Sequence, residues 1–344
     1  MKIVIDSLVP FTKNVFEPYA EVEYINGNTA DTAALADADA LISSTAMKCT
    51  AEMLADSPVK IIANAAAGRD NIDTGFCSSR GIFVQSSSGC NSGGVMNYVF
   101  SALYGLAARK GIDLTGKTFG IIGVGSVGSR VETMARALGF KILRYDSKRA
   151  AAEGSTQFTD LDQLLALSDI VSLHVPLDDE TRGMADSEFF ASMKSGAIFI
   201  NASRGELVVD DDLIQAIPRL GAVVIDTWNG EPDVNRQLLE LADIATPHIA
   251  GLSYQGMQNA TMAAVRSVAR FFDIKELFDF FPPTDIPQLQ SVKLDVLGLS
   301  QGQIASMIQY NYPIFTDDFM FRMNPSGFER IRAGYQLRKE FFIE

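Results

Sequence analysis

Apolar residues come along this chain in short runs separated by stretches of helical spacing, and the alternation recurs along most of its length. In the first ninety residues the runs fall at 3–5, 22–25, 40–42, 60–63 and 82–84, with helix-compatible stretches at 32–36 and 50–56. This pattern predicts a small α/β domain. Gly89-Cys90-Asn91-Ser92-Gly93-Gly94 is a turn-rich break, and 95–110 reads as a crossover helix. Strands are then predicted at 118–122, 141–146, 170–175, 197–202, 222–227 and 244–245, with helices at 161–167, 187–194, 210–217 and 235–241. Strands buried on both faces read as continuous apolar runs, so this second region is expected to be a parallel sheet covered by helices on both sides. A helical stretch at 256–272 returns the chain to the first domain, Phe280-Phe281-Pro282-Pro283 marks a boundary, and a tail follows with strand and helix signals of its own. The expected division is 1–92 plus 254–285, 93–253, and 286–344.

The second region opens with a strand, three glycines and a helix. Thr118-Phe119-Gly120-Ile121-Ile122 leads into Gly123-x-Gly125-x-x-Gly128, after which Val131, Met134, Ala135 and Leu138 recur on one helical face. In such a βαβ unit the first glycine permits the turn, the second lets backbone approach a pyrophosphate, and the third lets helix pack on strand. Ser126 and Val127 complete the phosphate loop. Asp146 ends the next strand, where a carboxylate accepts from the adenosine ribose hydroxyls. It favours NAD over NADP, because a carboxylate about 4 Å from a 2′-phosphate costs roughly 4 kcal/mol per charge pair at an effective dielectric near 20. Ser147-Lys148-Arg149 reads as a solvated loop.

A net charge of −13 and a pI near 4.7 disfavour nucleic acid and anionic membranes as partners. Cys49, Cys77 and Cys90 form no CxxC spacing and suit a reducing cytoplasm. The first residues read directly as a strand, without an apolar leader, so neither export nor a membrane anchor is expected. No metal site is expected either.

Candidate chemistry lies where the predicted strands of the second region end. Oxidising a 2-hydroxy acid requires a cation for the carboxylate, a base for the hydroxyl proton and a hydride acceptor. Arg204, in Asn201-Ala202-Ser203-Arg204-Gly205, offers a guanidinium fork that matches a carboxylate. His248, one of only two histidines, follows Thr246-Pro247 and is the candidate base, because imidazole exchanges protons near neutral pH. Glu231, in Gly230-Glu231-Pro232, is placed to orient it, and Asp226 to meet the nicotinamide carboxamide. The other histidine, His174, with Val175 and Pro176, reads as lining near the cofactor.

Taken in order, the glycine loop, Asn201-Ala202-Ser203-Arg204-Gly205, Gly230-Glu231-Pro232 and Thr246-Pro247-His248 resemble the D-2-hydroxyacid dehydrogenase family over nearly the whole chain. The resemblance implies a Rossmann-type doubly wound domain, a flavodoxin-like substrate domain, NAD as cofactor, and Arg204, Glu231 and His248 as the catalytic set. It adds Ala202, Ser203, Arg204, Asp226, His248 and Gly251 to the cofactor contacts, and Thr45, Ala66, Ala67, Gly68, Arg69 and Leu252 to the substrate contacts. The segments 36–41, 89–91, 228–232, 247–251 and 327–340 are similar to a branch of the family that acts on a phosphorylated 2-hydroxy acid in vitamin B6 synthesis. That branch carries a small C-terminal α+β dimerisation domain, which implies a homodimer. Ser44-Thr45, Ala66 and Leu252 depart from its phosphate-site pattern of Arg-Ser, Thr and Tyr, and Lys48 and Arg69 are candidates to compensate. An unphosphorylated 2-hydroxy or 2-oxo acid, or a non-catalytic NAD(H)-sensing role, are the alternatives.

Overall fold

The computed structural model describes residues 1–282 and 291–343, which fall into two compact units. The first comprises Met1–Asn91 together with the segment that begins at Ser253. Its strands are β1 (Lys2–Asp6), β2 (Glu21–Ile25), β3 (Ala40–Ser43), β4 (Ile61–Asn64) and β5 (Phe83–Ser86). They pair in parallel in the order β2-β1-β3-β4-β5, the flavodoxin order anticipated from the resemblance. β3 and β4 are buried at every residue, which is why they appear in the sequence as unbroken apolar runs. Helix Tyr254–Phe271 covers one face through Ala264, Val265, Val268 and Ala269. The sequence pattern misses helix Thr74–Arg80; its local signal is Asp73, whose carboxylate caps the Phe76 N–H at 2.8 Å.

The second unit holds β6 (Thr118–Ile122), β7 (Lys141–Tyr145), β8 (Ile170–Leu173), β9 (Ile198–Asn201), β10 (Ala222–Ile225) and β11 (Ile244–Ala245). All pair in parallel in the order β11-β10-β9-β8-β6-β7. The order reverses at β6, so a crevice opens beyond the carboxyl ends of β6 and β8, the place where ligands bind in such sheets.

Residues 291–343 join this same unit, in contrast to the separate third domain expected from the sequence. The expected start of that domain at 286 lies outside the described residues. β12 (Val292–Leu294) and β13 (Phe341–Ile343) form a two-stranded parallel sheet, accompanied by helices Gln301–Asn311, Ile314–Met323 and Phe328–Ala333. Helix Ser92–Lys110 explains why the tail docks. It is buried at every residue from Ser92 to Ala107, and a helix apolar all round needs cover on every side. Ile308, Tyr312, Ile314 and Phe341 supply part of that cover. The Asn97 side chain brackets Phe341, donating to its carbonyl at 2.7 Å and accepting its N–H at 2.9 Å. Asp318 accepts the Ala245 N–H at 2.7 Å and so closes the edge strand β11. In the tail, Ile304, Met307, Ile308 and Phe315 pack inside this unit, whereas Phe319 is exposed.

Candidate functional site

The glycine loop forms a cradle. Gly123 has φ +90°, and a Cβ there would lie 2.7 Å from the backbone of His174. A Cβ on Gly128 would lie 2.0 Å from the Gly123 carbonyl oxygen, so this helix can approach the loop only without a side chain. Around Gly125, by contrast, a Cβ would meet nothing within 4 Å. No side chain caps helix Ser126–Ala137, which leaves its first N–H groups and positive dipole end for an anion. A dinucleotide pyrophosphate fits this arrangement. Asp146 accepts the Val124 N–H at 2.9 Å on one oxygen and the Arg149 N–H at 3.0 Å on the other; each oxygen keeps a lone pair for a ribose hydroxyl.

The expected loop at 147–149 is instead the first turn of helix Ser147–Glu153, capped by Asp146. Lys148 pairs with Asp178 at 2.7 Å. Arg149 pairs with Glu153 and donates to the Val124 carbonyl. Both cations are thus engaged within the protein, which disfavours a 2′-phosphate as their partner.

His174 follows β8 directly. The residue as a whole is half-buried, yet both ring nitrogens are sealed from solvent and have no hydrogen-bond partner. Burial pushes its pKa down to about 3, so the ring is neutral near pH 7 and does not act as a proton carrier in this state. Two orphaned nitrogens beside the glycine loop also suit a site that receives a polar cofactor. Val175 accepts the Ser203 hydroxyl on its carbonyl at 2.6 Å, which ties the β8 and β9 ends together.

The turns after β9, β10 and β11 rest on one another. Asn201 accepts the Ser203 N–H at 3.1 Å and donates to the Arg204 carbonyl at 2.8 Å, turning the chain so that Arg204 leaves the strand end. A Cβ on Gly205 would lie 1.8 Å from the Trp228 carbonyl carbon, so the Arg204 turn sits directly on the backbone at 228–229. Trp228 donates its backbone N–H to Glu231 at 2.7 Å and its indole N–H to the Thr246 carbonyl at 2.8 Å.

Glu231 Oε2 then lies 2.8 Å from His248 Nδ1. Burial alone raises the Glu231 carboxyl, but the His248 hydrogen bond and charge, the Trp228 N–H and the Arg332 charge together hold it below the usual range. The neutral imidazole donates from Nδ1, which leaves the Nε2 lone pair for a substrate.

His248 adopts φ +53°, uncommon for a side-chain-bearing residue. Its N–H donates to the Asp226 carbonyl at 2.7 Å, and its own carbonyl accepts from Arg332 Nε at 3.0 Å. The fully buried Asp226 carboxylate accepts the N–H groups of Ile249 and Ala250 at 2.8 and 2.9 Å and the Thr246 hydroxyl at 2.7 Å. Burial raises its pKa, although His248 and these donors oppose the shift. Asp226, expected only at the cofactor carboxamide, is also the anchor of the histidine loop.

Gly251 and Leu252 close that loop, with the Leu252 N–H on the Ile249 carbonyl. Ala202, at the start of the Arg204 turn, is buried, and Pro176 is exposed. Sequence reasoning passed over Gly205, Asn201, Trp228 and Arg332. The first three lie within or beside motifs it used; nothing near Arg332 signalled a reach of 84 residues.

In the first unit, Thr45 is exposed after β3, whereas Ala66, Ala67 and Gly68 lie in the loop after β4. Asn64 holds that loop, donating to the Gly68 carbonyl at 2.8 Å, and Asn71 donates to the carbonyls of Ser44 and Met47 at 3.0 and 2.8 Å. The Ser44 hydroxyl donates to the buried Asp6. Lys48 and Arg69 are both exposed, and among the described residues no acid pairs with either.

Residues 101–250 match the family model for the D-isomer specific 2-hydroxyacid dehydrogenase, NAD binding domain. The erythronate-4-phosphate dehydrogenase of Bacteroides fragilis is 38% identical over 347 residues, covering 99% of this chain and 97% of that protein. The chain belongs to the D-isomer specific 2-hydroxyacid dehydrogenases. Among solved structures, the NAD⁺-bound 3-phosphoglycerate dehydrogenase of Entamoeba histolytica superposes with a TM-score of 0.68 at 28% identity, covering 83% of this chain and 99% of that one. The D-lactate dehydrogenase of Aquifex aeolicus, complexed with NAD and lactic acid, gives 0.66 at 26%, covering 83% and 100%. As a member of this family the protein is an NAD-dependent oxidoreductase that acts on a 2-hydroxy acid. No helix of the described residues is long and apolar enough to cross a membrane.

Proposed function

We propose that the protein oxidises 4-phospho-D-erythronate to its 2-oxo acid, the vitamin B6 reaction implied by the sequence resemblance, with His248, Glu231 and Arg204 as the catalytic set. The observation that carries the catalytic part is the 2.8 Å pair between Glu231 and His248 Nδ1, which directs Nε2 away from the carboxylate. In this reading Nε2 takes the proton of the C2 hydroxyl, and Glu231 stabilises the imidazolium that results. Arg204 holds the substrate carboxylate. NAD held at the glycine loop would supply the hydride acceptor for C2, so that one 2-hydroxy acid and NAD⁺ would give one 2-oxo acid, NADH and a proton. Gly123, Gly125, Ser126, Val127 and Gly128 hold the pyrophosphate, Asp146 the ribose, and His174, Val175, Pro176, Ala202, Ser203, Asp226 and Gly251 line the remainder. Thr45, Ala66, Ala67, Gly68, Arg69 and Leu252 recognise the substrate.

The substrate assignment is supported by the near full-length likeness to a protein named for erythronate 4-phosphate. Lys48 and Arg69 are the cations proposed to meet its phosphate. A second reading, an unphosphorylated hydroxy acid, draws on the commitment of Ser44 to Asp6 and on the apolar Leu252.

We further propose a homodimer in which the exposed Phe319, Met320 and Met323, on one side of helix Ile314–Met323, meet a second copy. Three cysteines with no CxxC spacing support a cytoplasmic setting. The division into a substrate unit, an NAD unit and a dimer-forming tail is part of the same proposal.

The test is a panel of acids, including 4-phospho-D-erythronate, D-erythronate and D-lactate, followed by NADH absorbance. Fastest turnover per molar of the phosphorylated acid is expected. A preference for D-erythronate overturns the phosphate assignment, and tight NADH binding without turnover of any 2-hydroxy or 2-oxo acid favours a sensing role. Light scattering tests the dimer.

A further inference from the structure

The tail reaches the reactive histidine. Arg332, on helix Phe328–Ala333, donates from Nε to the backbone carbonyl of His248 at 3.0 Å. That carbonyl belongs to a residue held in the left-handed region at φ +53°, where a side-chain-bearing residue persists only if its surroundings over-determine it. Two other grips act on the same loop: the Asp226 carbonyl on the His248 N–H, and the Asp226 carboxylate on the Ile249 and Ala250 N–H groups. Both come from Asp226, which directly follows β10, and fix the peptide groups at 248–250 from their N–H sides. Among the described residues Arg332 fixes the His248 carbonyl side, and it comes from the tail.

The tail's docking keeps Arg332 there. Asn97 brackets Phe341, Asp318 accepts the Ala245 N–H, and Phe321 and Phe328 pack with Trp228 in one cluster. Trp228 in turn donates to Glu231. The guanidinium is a permanent cation.

We propose that Arg332 is a positioning residue for the acid–base pair, fixing the His248 backbone through its carbonyl and placing a fixed positive charge beside Glu231 and His248. The tail is therefore part of the catalytic apparatus as well as a structural cover. This rests on the reading of His248 as the acid/base.

Among the groups that bear on the pair are Asp226 beneath the loop, Glu231 from the turn after β10, and Arg332 from the tail. Two are negative when ionised and one is positive. Removing the positive one makes the pair hold its proton more firmly, so the basic form needed for hydroxy-acid oxidation appears at higher pH.

The experiment compares Arg332→Gln, which keeps a donor but loses the charge, with Arg332→Lys, which keeps the charge. Each is assayed for kcat, KM and the pH midpoint of kcat/KM, with NADH affinity by fluorescence as a check on folding. The Gln variant is expected to lose about tenfold in kcat, to keep its NADH affinity and to move the midpoint upward by several tenths of a pH unit. The Lys variant is expected to restore the wild-type midpoint. An unmoved midpoint in the Gln variant overturns the proposal, whether or not kcat falls, because a merely structural loss lowers the rate without shifting the profile. His248→Asn is run alongside: if it retains turnover, the acid/base reading fails independently of Arg332.

Discussion

The two parallel-sheet units present their loops differently. In the second unit the turns beyond β9, β10 and β11 are linked to one another by side chain and backbone, from Asn201 through Gly205 and Trp228 to Glu231, His248 and Asp226. In the first unit Asn64 and Asn71 secure the loop backbones, while Lys48 and Arg69 are exposed and have no acidic partner among the described residues. The contrast separates two demands. Proton transfer needs atoms held within tenths of an ångström, and the residues proposed for it are fastened to buried partners. Recognition of a distal group tolerates long side chains on the surface, and such positions can change without disturbing the chemistry.

The sharpest way to break this division is His248→Asn. It is expected to lower kcat by roughly a thousandfold on every accepted acid, with NADH affinity nearly unchanged by fluorescence titration. A variant with wild-type kcat removes His248 from the reaction. Arg204→Lys is expected to cost about 2 kcal/mol in kcat/KM, on the order of thirtyfold, because a point charge does not reproduce the bidentate fork. Steady-state kinetics with an unchanged kcat/KM assign the carboxylate to another residue.

In the first unit, Arg69→Ala or Lys48→Ala is expected to raise KM for the phosphorylated acid about tenfold, the scale of one lost hydrogen bond to a charged group. The KM of an unphosphorylated acid is expected to stay within about twofold. Equal effects on both acids, measured side by side, erase the distinction between the units.

The smallest effect concerns His174. Its folded-state pKa of about 3 lies below the ordinary histidine value near 6.5. The unfolded chain therefore binds the extra proton first as pH falls, and stability declines from about pH 6.5 downward toward 3. Between pH 8 and pH 6 this group contributes a loss of just under about 1 kcal/mol. His174→Gln is expected to lose that much less in urea unfolding over the same interval. An identical pH dependence in both proteins places the unfavourable protonation elsewhere.

Several features were legible from local sequence because local physics produces them. Buried parallel strands must be apolar on both faces, and a tight phosphate loop must be glycine-rich, so both sheets and the 123–128 turn could be read without partners in view. Asp146, Glu231 and His248 stood out because they follow strand ends, where side chains face the crevice. Local sequence did not reveal that 147–149 is helical, since the deciding cap, Asp146, had been assigned to the cofactor alone.

Chain order by itself thus determined the two α/β units, the dinucleotide loop and the candidate reactive side chains. Tertiary structure decided how those side chains are wired. The direction of His248 depends on Glu231, 17 residues away, and its backbone on Arg332, 84 residues away. Whether the tail stands apart or folds back depends on a helix whose burial on all sides becomes evident only after the sheet has covered one of them. Such contacts leave no periodic trace, because each joins single residues whose spacing is set by the path of the chain between them and by no repeat of helix or strand.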